Sequence, residues 1–317
     1  MNTPTLLQKL RLTPALEARL AASYRVHRLT DEADPAAFLA AHGGEFDGLV
    51  TAASSGVDAA LLAALPNLKV ISSFGVGLDQ IDLEATRARG IPVGYTPDVL
   101  NDCVADAAFA LMLAAARGVA AADRYVRRGD WSGPPSAARF PLGRKVSGAR
   151  LGILGLGRIG RTVARRAAGF DMEVRYHNRR AVPDVPWAHE PSLLDLARWA
   201  DFLVLITAGG AGTRHLVNAA VLDALGPEGY LINVARGSVV DEAALVAALQ
   251  QGRIAGAGLD VFEAEPHVPA ALMALDNVVL LPHVASATHQ TRQAMADRVY
   301  DNLQRFFAEG RLVSAAQ

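Results

Sequence analysis

The sequence predicts an α/β protein made of two doubly wound domains with parallel sheets, one inserted into the other. Three observations carry this. At 317 residues the chain exceeds what a single hydrophobic core usually supports, so two domains are expected. Short apolar runs bounded by Gly, Pro or Asp alternate with longer Ala/Leu-rich stretches at helical spacing, the pattern of βαβ units around a parallel sheet. The sequence also changes character near Leu100 and after Pro282, so that 1–99 and 283–317 read as one discontinuous domain around an insert of 100–282.

In chain order the apolar runs place strands at 48–52, 69–73, 92–95, 150–154, 173–177, 202–206, 230–234, 254–259 and 278–281. Helices fall between many of them. Segment 79–89 is polar on one face and stops at Gly90, and 241–251 opens on Asp241-Glu242 and stops at Gly252, as helix capping predicts. The runs 105–117 and 289–307 read as longer helices, the second closing the chain. Between them 130–146, with WSGPPSAARFPLGRKV, is rich in Pro, Gly and Arg. It reads as a surface arm or, equally, as an interdomain linker.

Composition excludes several classes of function. With 31 basic against 32 acidic residues and a formal charge of −1, no field steers the chain toward nucleic acid or an anionic membrane. The start, MNTPTLLQKLRLTPALEARL, is charged every few residues, and no stretch approaches the ~20 apolar residues of a membrane span, so a soluble, cytoplasmic protein is expected. Cys103 is the only cysteine, which rules out an internal disulfide or a thiolate metal cluster and suits a reducing compartment. Its ordinary reading is a small buried hydrophobe. No metal site is expected.

The run LGILGLGRIGRTVARRAAGF sets Gly155, Gly157 and Gly160 in G-x-G-x-x-G register, with Leu156, Arg158 and Ile159 between them, after a buried strand and at the start of a helix. In that context it reads as the dinucleotide-binding turn of a Rossmann domain rather than a merely structural turn: the first glycine permits the turn, the second admits the pyrophosphate and the third lets helix and strand pack closely. The following strand decides which cofactor is preferred. NAD sites usually end it with an acid on the ribose 2′-OH, but here 173–177 runs into Asn178-Arg179-Arg180. Guanidinium groups can grip a 2′-phosphate bidentately, so NADP(H) is expected to be preferred, with NAD(H) possible; the alternative is that both arginines are solvated surface charges.

Single polar residues stand where later strands end, the rim on which open α/β sheets bind ligands. LINVARGSVVDEAAL carries Arg236, GAGLDVFEAEP carries Asp260, Glu263 and Glu265, and LLPHVASAT carries His283. Thr207, Val234 and Ala235 lie on the same rim and are candidate cofactor contacts. An Arg, a carboxylate and a His suffice to reduce a 2-keto acid if they converge: Arg236 pairs with the substrate carboxylate, His283 protonates the carbonyl oxygen, and Glu265 orients the imidazole. Singly, each has a structural reading. Arg236 can bridge loops, Glu265 can cap a turn, and His283 can be a satisfied core histidine; spacing alone does not decide.

The ordered set GLGRIG, NVARGSVVDE, GLDVFEAEP and PHVASAT resembles the D-isomer-specific 2-hydroxyacid dehydrogenase family, and the likeness runs from FGVGLDQID onward over most of the chain. The resemblance implies a flavodoxin-like substrate domain around a Rossmann cofactor domain, with Arg236, Glu265 and His283 as the catalytic set. It also implies that Asp260 contacts the nicotinamide carboxamide and that the substrate carboxylate meets the N–H groups of Val76 and Gly77. Gly75 and Gly77 independently suit a close backbone approach.

TPDVLNDCVAD, Gly129-Asp130-Trp131, HNRR and ITAGGAGTRHLV look most like NADPH-dependent glyoxylate/hydroxypyruvate reductases and hydroxyphenylpyruvate reductases. Two stretches depart from the usual pattern: 207–210, beside the cofactor, and VTAASSGVD, where Ser54 is a candidate substrate contact or an exposed turn serine. The resemblance further implies a homodimer, with the 130–146 arm and Trp131 reaching the partner; packing of Trp131 within its own subunit is the alternative. A relative acting on 3-phosphoglycerate is disfavoured by the ribose-binding end and by the chain stopping at Gln317 without a regulatory domain. A non-catalytic, dinucleotide-sensing corepressor-like protein shares the fold, but the intact Arg, Glu and His set argues against it.

Overall fold

The computed structural model describes residues 3–132 and 140–316. The chain forms two compact units, Met1–Leu100 with Ala287–Gln317, and Asn101–Ser286. It re-enters the first unit at Ala287, a little beyond Pro282. Of the arm expected at 130–146, residues 133–139 lie outside the described residues.

The first unit carries a parallel sheet of β1 (Thr5–Gln8), β2 (Arg25–Arg28), β3 (Gly48–Ala52), β4 (Val70–Phe74) and β5 (Val93–Gly94), in the order β2-β1-β3-β4-β5. This is the flavodoxin order, with its reversal between β1 and β3. Strands β3 and β4 are buried along their whole length, as strands covered on both faces must be. Helices α1 (Pro14–Ser23), α2 (Pro35–His42), α3 (Ala59–Ala64) and α4 (Leu83–Ala88) connect them, and the closing helix His289–Glu309 packs against β4 and α1 and buries Met295, Val299 and Leu303.

In the first unit two features differ from the sequence reading. Strands β1 and β2 were not legible, because TLLQ is four residues of which two are Leu, a good helix former, and RVHR is a polar edge strand. Helix α4 begins at Leu83 rather than at Asp79, because the Asp82 carboxylate accepts from the Ala85 N–H (2.9 Å) and caps the helix there.

The second unit opens on α5 (Asn101–Arg117) and α6 (Val119–Arg127) and then alternates β6 (Arg150–Leu154), α7 (Arg158–Ala167), β7 (Glu173–His177), β8 (Ala188–His189), α8 (Leu193–Trp199), β9 (Phe202–Leu205), α9 (Ala219–Leu225), β10 (Tyr230–Asn233), α10 (Glu242–Gln250), β11 (Gly256–Leu259), α11 (Ala270–Met273) and β12 (Val278–Leu280). All seven strands are parallel, in the order β12-β11-β10-β9-β6-β7-β8, with the reversal between β6 and β9. Leu196, Leu222, Leu245 and Leu249 of α8, α9 and α10 share one apolar cluster with Leu203, Leu205, Leu231 and Leu259 of the sheet. Helix α5 packs on β10 and β11 and against α7. Among the described residues, no single helix is long and apolar enough to cross a membrane.

One ion junction ties the edge of this core. Asp201, buried at the start of β9, accepts from the Arg144 guanidinium (2.7 Å), the Arg150 guanidinium (2.8 Å) and the Arg150 backbone N–H (2.8 Å). Burial works against its charge, but the hydrogen bonds of Arg150 and the charges of both arginines hold its carboxyl below the usual range. A depressed folded-state value contributes stability that is present above the unfolded value of about 3.9 and is lost as pH falls below it. Asp201→Asn should therefore cost ~2 kcal/mol at neutral pH and flatten the acid limb of the unfolding curve. Thermal melts of both proteins from neutral pH to below about pH 4 test this; superimposable acid limbs would count against it.

Candidate active site

Because every strand of a parallel sheet points the same way, all the carboxyl ends in a unit lie on one edge, and loops distant in sequence become neighbours there. In the second unit the loops after β6, β7, β9, β10, β11 and β12 carry the expected residues.

The glycine turn follows β6. Gly155 has φ +105°, and its N–H donates to His177 O (3.0 Å). A Cβ on Gly155 would fall 2.8 Å from Thr207 N, and one on Gly160 would fall 2.2 Å from Gly155 O, so the protein itself excludes side chains at both. Gly157 differs: a Cβ there meets no protein atom within 4 Å. Gly157 and Arg158 are exposed at the amino end of the ten-residue helix α7, while Leu156 is buried and Ile159 half-buried. An open, glycine-floored helix N-terminus suits a pyrophosphate, and the turn fits a dinucleotide.

At the end of β7, Asn178 Oδ1 accepts from the Leu156 N–H (2.7 Å), and its backbone O accepts from His189 Nε2 (3.0 Å). Asn178 thus locks this strand end to the glycine turn, while Arg179 and Arg180 stand exposed beyond it. Val234 and Ala235 are buried after β10.

Arg236 is delivered by a braced turn. Asn233, 1% exposed, accepts from the Ala235 N–H and donates to Arg236 O, both at 3.0 Å. Gly237 then lies against the next loop so tightly that a Cβ would sit 1.9 Å from the Phe262 carbonyl carbon and 2.3 Å from Glu263 N. That contact sets Arg236 beside the loop of Glu265. Asn233 was missed by the sequence reading, although a polar residue at the end of an apolar strand is the signal that would have found it.

Glu265 Oε1 accepts from the Phe262 N–H (3.1 Å), and Oε2 accepts from His283 Nδ1 (2.7 Å). Burial opposes its charge, but the hydrogen bonds of His283 and Phe262 and the charges of His283 and Arg236 hold its carboxyl below the usual range. An ionised carboxylate only accepts, so Nδ1 carries the proton and Nε2 is the nitrogen left for other work. His283 has φ +54° and its side chain is 43% exposed. Its N–H donates to Asp260 O (2.9 Å), while the Asp260 carboxylate accepts from the Val284 (2.7 Å) and Ala285 (2.9 Å) N–H groups. Burial pushes the Asp260 carboxyl up, and those N–H groups and the charge of His283 only partly counter it. The structure thus brings together Arg236, Asp260, Glu265 and His283.

Ser54, Val76 and Gly77 belong to the first unit, where Ser54 is exposed and the other two are half-buried. Their two loops lie side by side: Ala53 N–H donates to Phe74 O (3.2 Å), and a Cβ on Gly75 would fall 2.7 Å from Ala53 Cβ. Lys9, absent from the sequence reading, donates to Ser55 O (2.5 Å) and Gly56 O (3.1 Å) and steadies the Ser54 loop.

The chain has clear relatives among known proteins. The family described as D-isomer specific 2-hydroxyacid dehydrogenase, NAD binding domain, matches residues 109–285. A glyoxylate/hydroxypyruvate reductase A of Arabidopsis thaliana is 46% identical over 293 residues, 92% of each chain. A hydroxyphenylpyruvate reductase of Plectranthus scutellarioides is likewise 46% identical over 293 residues, 92% of each chain. The crystal structure of an NADPH-dependent glyoxylate/hydroxypyruvate reductase from Sinorhizobium meliloti, in complex with NADP and malonate, superimposes with TM-score 0.92 at 43% identity, covering 99% of this chain and 97% of that one.

The contrast between two glycines is testable. Gly157→Ala should leave the melting temperature unchanged and weaken dinucleotide binding on the order of tenfold, ~1.4 kcal/mol. Gly237→Ala should destabilise the fold by about 3 kcal/mol, because peptide backbone occupies the place of its Cβ. Calorimetry and dinucleotide titration of both variants check this; a Gly157→Ala protein that melts early, or a Gly237→Ala protein of full stability, contradicts it.

Proposed function

The chain belongs to the D-isomer-specific 2-hydroxyacid dehydrogenase family, and from that premise we propose that it reduces glyoxylate and hydroxypyruvate to 2-hydroxy acids using NADPH. The observation that carries the reading is the His283–Glu265 pair at 2.7 Å with the Arg236 charge acting on the same carboxylate. NADPH, when bound, supplies a hydride to the carbonyl carbon. Arg236 pairs with the substrate carboxylate and polarises the carbonyl. His283 donates its Nε2 proton to the carbonyl oxygen and keeps its Nδ1 proton on Glu265; in the oxidative direction the neutral imidazole takes a proton back. Glu265 fixes ring orientation and tautomer. Asp260 holds the His283 turn, and its remaining lone pairs can accept from the nicotinamide carboxamide. Val76 and Gly77 are proposed as further substrate contacts on the strength of the family resemblance, and Ser54 because its loop lies beside theirs.

The preference for NADPH rests on the exposed Arg179 and Arg180 after β7, where a carboxylate would repel a 2′-phosphate. The glycine turn, with Leu156, Arg158 and Ile159, holds the pyrophosphate in this reading, and Thr207, Val234 and Ala235 line the cofactor side of the sheet edge. A homodimer is supported by large apolar side chains left exposed on α6 and the following segment, Val119, Val126, Trp131 (75%) and Leu142 (96%). A cytoplasmic setting accords with the single cysteine. Hydroxyphenylpyruvate is the second candidate substrate, favoured by the similarity to the Plectranthus enzyme.

Purified protein assayed with NADPH and NADH against glyoxylate, hydroxypyruvate, pyruvate and phenylpyruvate should turn over the first two fastest with NADPH. His283→Ala should depress kcat by ~10²-fold or more, and Arg236→Ala should harm both KM and kcat. Wild-type rates in either variant would remove the assigned role. Replacing Arg179 and Arg180 together by Ala should weaken NADPH far more than NADH; equal effects would mean that neither touches the 2′-phosphate.

A further inference from the structure

Four segments of the second unit meet at Glu263, a residue with no part in the chemistry above. Glu263 Oε1 accepts from Arg214 Nη2 and His215 Nε2, both at 2.8 Å. The Glu263 N–H donates to Glu242 Oε2 (3.2 Å), and the Phe262–Glu263 peptide lies hard against Gly237. Glu263 is also the neighbour of Phe262, whose N–H holds Glu265.

The partners of Glu263 sit at the far end of the 207–215 loop. That loop starts at Thr207, whose backbone fills the space beside Gly155 in the dinucleotide turn. The Thr213 hydroxyl donates to Ala208 O (2.8 Å) and Gly210 O (3.2 Å) and closes the loop on itself. His215 has φ +50°, a region a His side chain seldom adopts, and its N–H donates to Ser238 O (2.8 Å) just after Arg236. Two charge-assisted bonds to one carboxylate oxygen therefore join the loop that backs the dinucleotide turn to the loop that carries Glu265.

We propose that Glu263 is a positioning residue: by gripping Arg214 and His215 it holds the 207–215 loop to the 260–266 loop, setting both cofactor affinity and the placement of Glu265 against His283. Glu242, whose carboxyl is pushed up by burial and by the Glu263 charge, supports the same loop from below through the Glu263 N–H. The kinetic consequence rests on the reductase reading; the structural one does not. A small misplacement of a catalytic group suffices for a large rate loss.

The test compares Glu263→Ala, Glu263→Gln and Arg214→Ala with the wild type. It measures kcat and KM for glyoxylate with NADPH, NADPH affinity by fluorescence, and hydrogen exchange of 260–266 in the cofactor-free protein. Glu263→Ala should lower kcat ~10-fold, weaken NADPH severalfold and speed exchange across 260–266, with glyoxylate KM little changed. Glu263→Gln, which keeps an acceptor oxygen, should recover most of each loss, and Arg214→Ala should fall between. NADPH affinity and 260–266 exchange both within twofold of wild type in Glu263→Ala would overturn the proposal, as would losses that Gln fails to relieve. Should Glu263→Ala not fold, Arg214→Ala at the loop surface decides by the same two readouts. A wild type that reduces none of the keto acids sinks the reductase reading alone, since binding and exchange still report on Glu263.

Discussion

Asp260, 1% exposed to water, follows strand β11, and each of its carboxylate oxygens takes a backbone N–H from the loop after β12. Its own carbonyl takes the N–H of His283. Burial disfavours the charge, and the N–H groups offset part of that penalty, so the cost of the arrangement is repaid in geometry. What it secures is a His283 held at φ +54°, a left-handed conformation that a non-glycine residue keeps only when its surroundings over-determine it. The imidazole is thereby turned onto Glu265, which divides its two oxygens between His283 and the Phe262 N–H.

Around this seam the structure uses close backbone contact where a side chain would have been the simpler filler. Gly237 lets the Arg236 loop touch the Phe262–Glu263 peptide, and Asn233 pins the turn from inside the strand. Gly155 and Gly160 are likewise demanded by the protein, whereas Gly157 faces open space. One motif therefore contains two kinds of position, close packing at its first and third glycines and open space at its second.

The second unit was more legible than the first. Most of its strands are short apolar runs because helices cover both faces, and β6, β7, β9, β10, β11 and β12 fall within two residues of their expected places. In the first unit β1 and β2 escaped notice, since four residues of Leu-rich or polar sequence acquire strand character only by pairing with β3 and with each other. The two-residue β8 was invisible for the same reason. The start of α4 was misplaced because two acidic residues, Asp79 and Asp82, offer equivalent caps, and the pairing of Ile81 with Val57 selects the later one.

By itself the sequence determined the α/β class, the glycine turn after β6 and the absence of an acid after β7, and its resemblance to a family singled out Arg236, Glu265 and His283 as candidates. The first three are local matters of periodicity, spacing and residue chemistry. Only the tertiary structure decided that those three side chains share one sheet edge, which nitrogen of His283 faces Glu265, that Asn178 braces the glycine turn, and that Glu263 joins two loops nearly fifty residues apart. Such contacts depend on strand order and on approaches of a few ångströms between distant loops, and no pattern within a single segment encodes a distance to another.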